Sequence, residues 1–214
     1  NLNPTRFCES DHLSGETQAM FGQLPRGLSR VLAIVDWIHQ NISYQIGTSN
    51  AMTTARDVLA NRTGVCRDFA HLGVTFCRAL NIPARLVVGY AHFDEPPPDF
   101  HAMFEAYLGG RWVLFDATHM SPIDDLVRVA TGRDAKDVAF ATIYGPATLV
   151  AMAPLITKAA TTPTTTSSLF STLPFNNSGQ LAHHPTTCSP TRVINRIFFI
   201  AFHFHSPPYN QYKF

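Results

Sequence analysis

The sequence predicts an α+β fold, in which helices come first along the chain and antiparallel strands follow them. Apolar residues recur at intervals of three and four as far as Leu80, which is typical of amphipathic helices. Residues 85–92 then form the first predicted strand, and residues 95–99 form a loop rich in proline. Further β-rich segments flank the pair Gly109-Gly110, which is a signal for a hairpin.

Three helices are predicted in the first part of the chain. Residues 28–42 carry apolar side chains at helical spacing, and either Thr53 or Thr54 can cap a short helix that follows. A third helix begins after Gly64, because glycine breaks the chain there, and ends before Pro83. This third helix has one apolar stripe, which we expect to be buried.

The predicted hairpin brings two polar residues together. With Gly109-Gly110 as a two-residue turn, residues 100–108 pair with residues 111–118. In that register His101 and Asp116 lie on one face as diagonal neighbours, with Cα atoms about 7–8 Å apart. The other face is aromatic and apolar, and is the predicted core face. A hydrogen bond between the imidazole and the carboxylate is therefore expected.

The composition divides the chain into three parts. Residues 1–27 are mixed and polar and are predicted to be an irregular entry segment. Residues 28–156 are predicted to form the domain that holds the candidate site. Residues 157–214 are rich in Thr, Ser and Pro, and no Asp or Glu occurs after Asp137. We predict that this last part is a low-complexity tail, disordered or non-native in large part.

Bulk properties exclude several classes of partner. The 214 residues suffice for one domain with a core, and 45% hydrophobic with 14% charged residues is ordinary for a globular protein. A formal net charge of +1 gives no reason to expect nucleic acid or an acidic membrane surface as a partner. No apolar run reaches the roughly 18 residues of a spanning helix. The sequence gives no indication of the oligomeric state.

Four cysteines raise the question of a nucleophile. Their spacing matches neither a zinc site nor a disulfide framework, so we expect reduced thiols, a cytoplasmic protein, and no metal or cofactor. Cys66 follows a glycine at the first turn of the third helix, where free N–H groups and the helix dipole favour a thiolate. Cys77 lies on the apolar stripe and is expected to pack. Cys8 and Cys188 are expected to be exposed.

Cys66, His101 and Asp116 together are what acyl transfer by a thiol requires. The imidazole takes the thiol proton, and the carboxylate orients the imidazole and stabilises its charged form. The N–H group of Cys66 can bind the oxyanion of a tetrahedral intermediate. Tyr44 is a candidate for a second oxyanion donor, with simple packing as the alternative.

Several motifs carry a family resemblance. They are GVCRDFAH from Gly64, NIPAR from Asn81, DFHA from Asp99, GGRW from Gly109 and FDATH from Phe115. In this order and spacing they resemble the bacterial transglutaminase-like superfamily, from about residue 6 to about residue 153. The resemblance implies a papain-like core, in which a cysteine-bearing helix packs on an antiparallel sheet. It also implies Cys66 as nucleophile, His101 as general base and acid, and Asp116 as orienting carboxylate.

The resulting hypothesis is cysteine-dependent amide acyl transfer or hydrolysis through a thioester acyl-enzyme. The substrate would be a peptide, a protein or a small amide, and the acceptor would be water or an amine. The alternative is a non-catalytic transglutaminase-like binding module or an inactive fragment, which needs no activated Cys66. Metal ligation through Asp68 and His71, which follow Cys66 on the same helix, lacks the spacing of a zinc motif.

Overall fold

The computed structural model describes residues 1–93, 99–139, 148–156 and 197–205. The proline-rich loop predicted at 95–99 falls outside these ranges except for Asp99. Within them, no helix has the length and apolar character that crossing a bilayer would require.

Four α-helices occur in the described ranges. They are α1 (Ser14–Phe21), α2 (Leu28–Asn41), α3 (Ala55–Asn61) and α4 (Cys66–Ala79). The three helices predicted from the sequence correspond to α2, α3 and α4. Thr54, rather than Thr53, caps α3: its hydroxyl accepts the Asp57 N–H at 3.5 Å, and the Asp57 carboxylate accepts the Thr54 N–H at 2.9 Å.

The strands form one main antiparallel sheet and two smaller pairs. In chain order the first six are β1 (Ser43–Tyr44), β2 (Thr63–Gly64), β3 (Ala84–Ala91), β4 (Asp99–Leu108), β5 (Arg111–Phe115) and β6 (Leu126–Gly132). The main sheet has the order β5-β4-β3-β6, and β1 pairs with β2 in parallel. The hairpin register runs from Leu108↔Arg111 to Phe104↔Phe115, as predicted. The α+β prediction is confirmed.

The end of the hairpin differs from the prediction. The sequence predicts a strand as far as residue 118, but β5 ends at Phe115. The reason is local, because the Asp116 carboxylate accepts hydrogen bonds from the N–H and the hydroxyl of Thr118. Such side-chain contacts to nearby backbone compete with a sheet ladder. Asp116 therefore sits just beyond the sheet.

The core lies between α4 and the predicted apolar face of the sheet. Phe104 and Phe115 stack at 5.5 Å between ring centroids, and both belong to the buried cluster. The opposite face, predicted to be polar, is also buried at Met103 and Glu105. The Glu105 carboxylate is neutralised by ion pairs with Arg85 of β3 at 2.7 Å and with Arg128 of β6. A buried carboxylate needs such partners.

The entry segment contributes to the core. Residues 1–27 are predicted to be irregular, but α1 forms there and Cys8, Leu13 and Phe21 are buried in the main cluster. The helix was missed because a polar residue, Thr17, lies on its buried side and interrupts the apolar period. The Thr17 hydroxyl is satisfied by the Leu13 carbonyl at 2.7 Å.

Two further strands form a separate pair. β7 (Thr148–Ile156) pairs antiparallel with β8 (Ile197–His205). β8, nine residues long, lies inside the segment predicted to be a low-complexity tail. Part of that segment therefore forms a strand that pairs with β7. Residues 157–196 and 206–214 lie outside the described residues, and for them the tail stays a prediction.

Gly89 provides a test of how closely β3 and β6 approach each other. It pairs with His101 across β3 and β4, next to an irregularity in the β3–β6 ladder. A Cβ on Gly89 would lie 2.3 Å from the Val127 carbonyl oxygen, which belongs to the backbone and cannot rotate away. We expect Gly89→Ala to lower the free energy of unfolding by about 1–3 kcal/mol, measured by urea denaturation.

Gly15→Ala is the matched control. A Cβ on Gly15, in α1, would meet no atom within 4 Å. Because alanine favours helix, this change should leave the free energy of unfolding unchanged or raise it by up to about 1 kcal/mol. A similar loss at both glycines would contradict the steric argument at Gly89.

Candidate active site

Cys66 is half-buried at the first position of α4. The strand pair before it fixes its place, because Tyr44 of β1 lies opposite Gly64 of β2. The Asp68 carboxylate accepts the Val65 N–H at 2.9 Å and holds the entry into the helix. Gly64 is required for this close turn, since a Cβ there would lie 2.8 Å from that of Asp68. The sulfur is thus presented at a helix N-terminus.

Arg67 ties a neighbouring loop to this turn. Its guanidinium pairs with the Asp68 carboxylate at 2.8 Å and donates to the Ser49 hydroxyl at 2.6 Å and the Asn50 carbonyl at 2.8 Å. Asp68 is fully buried, so this pairing also balances its charge. The loop that contains Ser49 and Asn50 therefore forms a fixed edge beside Cys66.

His101 and Asp116 are in direct contact. The His101 Nε2 and the Asp116 Oδ2 are 3.0 Å apart, with 1% and 6% of these residues exposed. The predicted contact therefore exists. His101 lies in β4 and Asp116 in the turn after β5, whereas the sequence predicts both on paired strands.

The Asp116 carboxylate is held by donors that the sequence analysis did not single out. Its Oδ1 accepts the Thr118 N–H at 2.9 Å and the Thr118 hydroxyl at 2.7 Å, and its Oδ2 also accepts the Ser121 N–H at 3.3 Å. A threonine two positions after an aspartate is a signal that could have revealed this turn. These bonds leave the carboxylate ionised and fixed in orientation.

The two buried groups shift each other's protonation. Burial alone would lower the pKa of His101, but hydrogen bonds and negative charge from Asp116 and Cys66 outweigh it and raise that pKa to about 9. Burial alone would raise the pKa of Asp116, but the hydrogen bond and charge of His101 hold it below its usual value. A charged imidazolium beside an anionic carboxylate is therefore the favoured arrangement of this pair near neutral pH.

Cys66 and His101 interact on the other side of the ring. The Cys66 side chain stabilises the charged His101 by a hydrogen bond and by its negative charge. Because Nε2 is bound to Asp116, Nδ1 is the nitrogen left to face the sulfur. The edge of His101 also packs against the Phe93 ring at 5.2 Å between centroids, which fixes the plane of the imidazole.

Tyr44 reaches the same place from β1. Its ring packs against Phe69 at 5.9 Å, and its hydroxyl lies close enough to Cys66 for that residue to shift its pKa. Burial, and then the negative charge of Cys66, raise the pKa of Tyr44 to about 12, so the hydroxyl stays protonated. With 41% of the residue exposed, Tyr44 lines an open surface rather than the core.

The other cysteines are placed differently. Cys77 is buried in the core, as predicted, and burial raises its pKa to about 12. Cys8 was expected to be exposed, but it is 0% exposed, and burial raises its pKa to about 12 as well. The entry segment folds against α4, which explains the difference. Cys188 lies outside the described residues.

Asp68 and His71 have structural partners. Besides the Asp68 bonds given above, the His71 Nε2 accepts the Ala135 N–H at 3.1 Å, and its ring stacks on Phe7 at 5.3 Å. Burial lowers the pKa of His71 to about 4, so it is neutral. Among the described residues, no group of three or more His, Cys, Asp and Glu side chains is arranged to hold a metal ion.

A solved structure resembles this fold. It is that of a candidate cysteine protease from Cytophaga hutchinsonii, which is 53% identical in sequence, with a TM-score of 0.66. The similarity covers 67% of this chain and 50% of that chain. The two proteins are therefore similar in sequence as well as in fold.

Two relatives by sequence come from mycobacteria. An uncharacterized protein of Mycobacterium leprae (strain TN) is 33% identical over 119 residues, which is 51% of this chain and 42% of that protein. One of Mycobacterium tuberculosis (strain ATCC 25618 / H37Rv) is 32% identical over 115 residues, 47% of this chain and 37% of that protein. The chain thus spans less than half the length of both proteins.

The family model described as the transglutaminase-like superfamily matches residues 17–117. The match begins inside α1, ahead of the predicted domain boundary at residue 28, and it ends just after Asp116. It therefore includes Cys66, His101 and Asp116 together with the helix and strands that carry them. Through this segment, the chain is similar to the transglutaminase-like superfamily.

Proposed function

We propose that this chain carries a cysteine-dependent enzyme that cleaves or exchanges amide bonds through a thioester intermediate. The observation that supports it most is the 3.0 Å contact between His101 and Asp116, buried beside a cysteine at a helix N-terminus. Cys66 is the nucleophile, His101 the proton carrier, and Asp116 the positioning group. Peptides, proteins and small amides are the substrate classes.

Acylation begins from the thiolate–imidazolium pair. The Cys66 sulfur attacks the amide carbon, and the carbonyl oxygen becomes an oxyanion beside the N–H of Cys66. The tetrahedral intermediate collapses as the C–N bond breaks. His101 gives its proton to the departing amine, which leaves the acyl group on sulfur and His101 neutral.

Deacylation reverses the proton flow. An acceptor, water or an amine, attacks the thioester while neutral His101 takes its proton. The C–S bond then breaks, and the thiolate and imidazolium are regenerated. Asp116 remains ionised throughout, because its pKa lies below the usual value and its oxygens keep the Thr118 and Ser121 donors. The carboxylate thus orients the ring in both steps.

Tyr44 is proposed as the second oxyanion donor. Its hydroxyl stays protonated at neutral pH and lies by the Cys66 backbone, where the oxyanion develops. A side-chain donor of this kind typically contributes about 10²–10³ in rate.

Cysteine alkylation tests the ion pair. We expect iodoacetamide to label Cys66 in the native protein well below pH 7, because a charged His101 stabilises the thiolate. Cys8 and Cys77 should stay unlabelled, since both are buried and their pKa values lie near 12. Peptide mass spectrometry gives the rate at each cysteine.

The control is His101→Ala, which should abolish labelling of Cys66 at low pH. Urea-unfolded protein, in which all cysteines are labelled, shows that the detection works for each peptide. If native Cys66 requires the alkaline pH of an ordinary free thiol, the binding-module alternative replaces the enzyme.

The charge state of His101 is a separate prediction. In NMR titrations its ring resonances should move near pH 9, rather than at the ordinary value of about 6.5. Asp116→Asn should shift this transition to lower pH, because the carboxylate stabilises the imidazolium and burial opposes it. A transition that Asp116→Asn leaves in place would contradict the assigned role of the carboxylate.

Tyr44→Phe tests the oxyanion donor. With p-nitrophenyl acetate, the acetyl group moves to the Cys66 sulfur and p-nitrophenolate leaves, so the burst measures acylation. The burst rate of each protein is divided by its own iodoacetamide rate, because alkylation tests the same sulfur but forms no oxyanion. We expect Tyr44→Phe to lower this ratio by about 10- to 1000-fold. Tyr107→Phe, at an exposed position on β4, is the matched control. Equal bursts in both variants would remove Tyr44 from the mechanism.

A further inference from the structure

A cavity of about 230 Å³ opens directly beside Cys66. Its walls come from the start of α4, from the core face of the sheet and from the chain after β6. The apolar side chains that line it include those of Val65, Leu86, Val88, Phe100, Ala102 and Val138. Phe100 and Ala102 flank His101 in β4, so the cavity and the imidazole share one strand.

Apart from Cys66 itself, the described side chains of the walls offer no free charge or polar group to an occupant. Arg67 is the one charged residue of the lining, and its guanidinium is already paired with Asp68 and bound to Ser49 and Asn50. The Ser49 hydroxyl, also in the lining, is occupied by that guanidinium. Burying a charged or amide side chain without partners is costly. The cavity therefore favours an aliphatic occupant.

The size of the cavity fits one side chain. Sites for drug-sized ligands are about 300–1,000 Å³, and this cavity is smaller. Cys66 itself forms part of the wall. A side chain seated in the cavity would therefore bring the carbonyl group of its own residue to the sulfur.

The outer wall is preformed. The segment after β6 is fixed by the Ala135 N–H bond to His71 and by the Asp134 carboxylate, which accepts the Phe7 N–H at 3.0 Å. Val138 is held close to Gly132, where an added Cβ would lie 3.0 Å from the valine methyl. Occupying the cavity thus requires little reorganisation, which lowers the cost of binding.

We propose that this cavity is an acyl-donor subsite that takes an aliphatic side chain of the size of leucine or methionine. The proposal rests on the proposed function, because it places the reacting carbonyl at the Cys66 thiolate. It further implies that the amide attacked is the main-chain amide of an aliphatic residue. A glutamine side chain would bury its polar amide against apolar walls.

Chloromethyl ketones test the subsite without turnover. N-acetyl amino-acid chloromethyl ketones of Leu, Gly, Gln and Asp alkylate a thiolate: a C–S bond forms and chloride leaves. Each rate at Cys66, from peptide mass spectrometry, is divided by the iodoacetamide rate of the same protein. We expect the Leu reagent to react at least about 10-fold faster than the other three, since a few buried methylenes give about 10- to 200-fold discrimination.

Two substitutions fill the cavity from different sides. Ala102→Leu fills it from the sheet, and Val138→Phe fills it from the half-buried segment after β6, where the fold tolerates change more readily. Either should bring the Leu-to-Gly ratio to within about twofold of one. Val129→Phe is the matched control for Val138→Phe, because Val129 is exposed on β6 and does not line the cavity.

The outcomes separate this proposal from the proposed function. If iodoacetamide finds no activated Cys66, the enzyme proposal fails, and the subsite fails with it. If Cys66 is activated but the Leu reagent has no advantage, or keeps it in both filled variants, only the subsite is overturned. A preference for the Gln reagent would instead indicate that the cavity takes a glutamine side chain, which would overturn its assignment to aliphatic side chains.

Discussion

The structure of the site depends on a buried ion pair, His101 with Asp116. Two charged groups this deeply buried are stable only when their remaining polar atoms are satisfied. Thr118 and Ser121 supply those bonds on the carboxylate side, and the Cys66 side chain does so on the imidazole side. The pair raises the pKa of His101 far enough to keep the ring charged near neutral pH. The buried contact that holds the site together thus also provides the charged imidazole that the proposed chemistry at Cys66 requires.

The sheet and the helices each supply half of the site. β4 and the turn after β5 carry the histidine and the carboxylate, whereas the β1–β2 pair and the first turn of α4 carry Tyr44 and Cys66. Small residues permit the close approaches, since a Cβ on Gly64 or Gly89 would meet neighbouring atoms below 3 Å. The apolar cavity lies where the two halves meet, so recognition and chemistry would share the same walls.

Much of this could be predicted from the sequence, and the failures have physical causes. The Gly109-Gly110 turn fixed the hairpin register, and the register placed His101 close to Asp116. The strand was nevertheless predicted three residues too long, because side-chain bonds within the Asp116 turn compete with the ladder. The helix α1 escaped detection because Thr17 interrupts its apolar period. The wrong prediction that Cys8 is exposed has the same origin, since the entry segment was not expected to pack on the core.

Local patterns in the sequence therefore determined most of the elements, the faces of the hairpin and the candidate triad. They did so because hydrophobic period, turn residues and helix ends act over a few residues. Only the tertiary structure decided which polar groups are buried, which donors complete the carboxylate, and where Tyr44 and Val138 lie relative to Cys66. Those features join residues far apart in the chain, and their free energies depend on desolvation and packing, which no local pattern encodes.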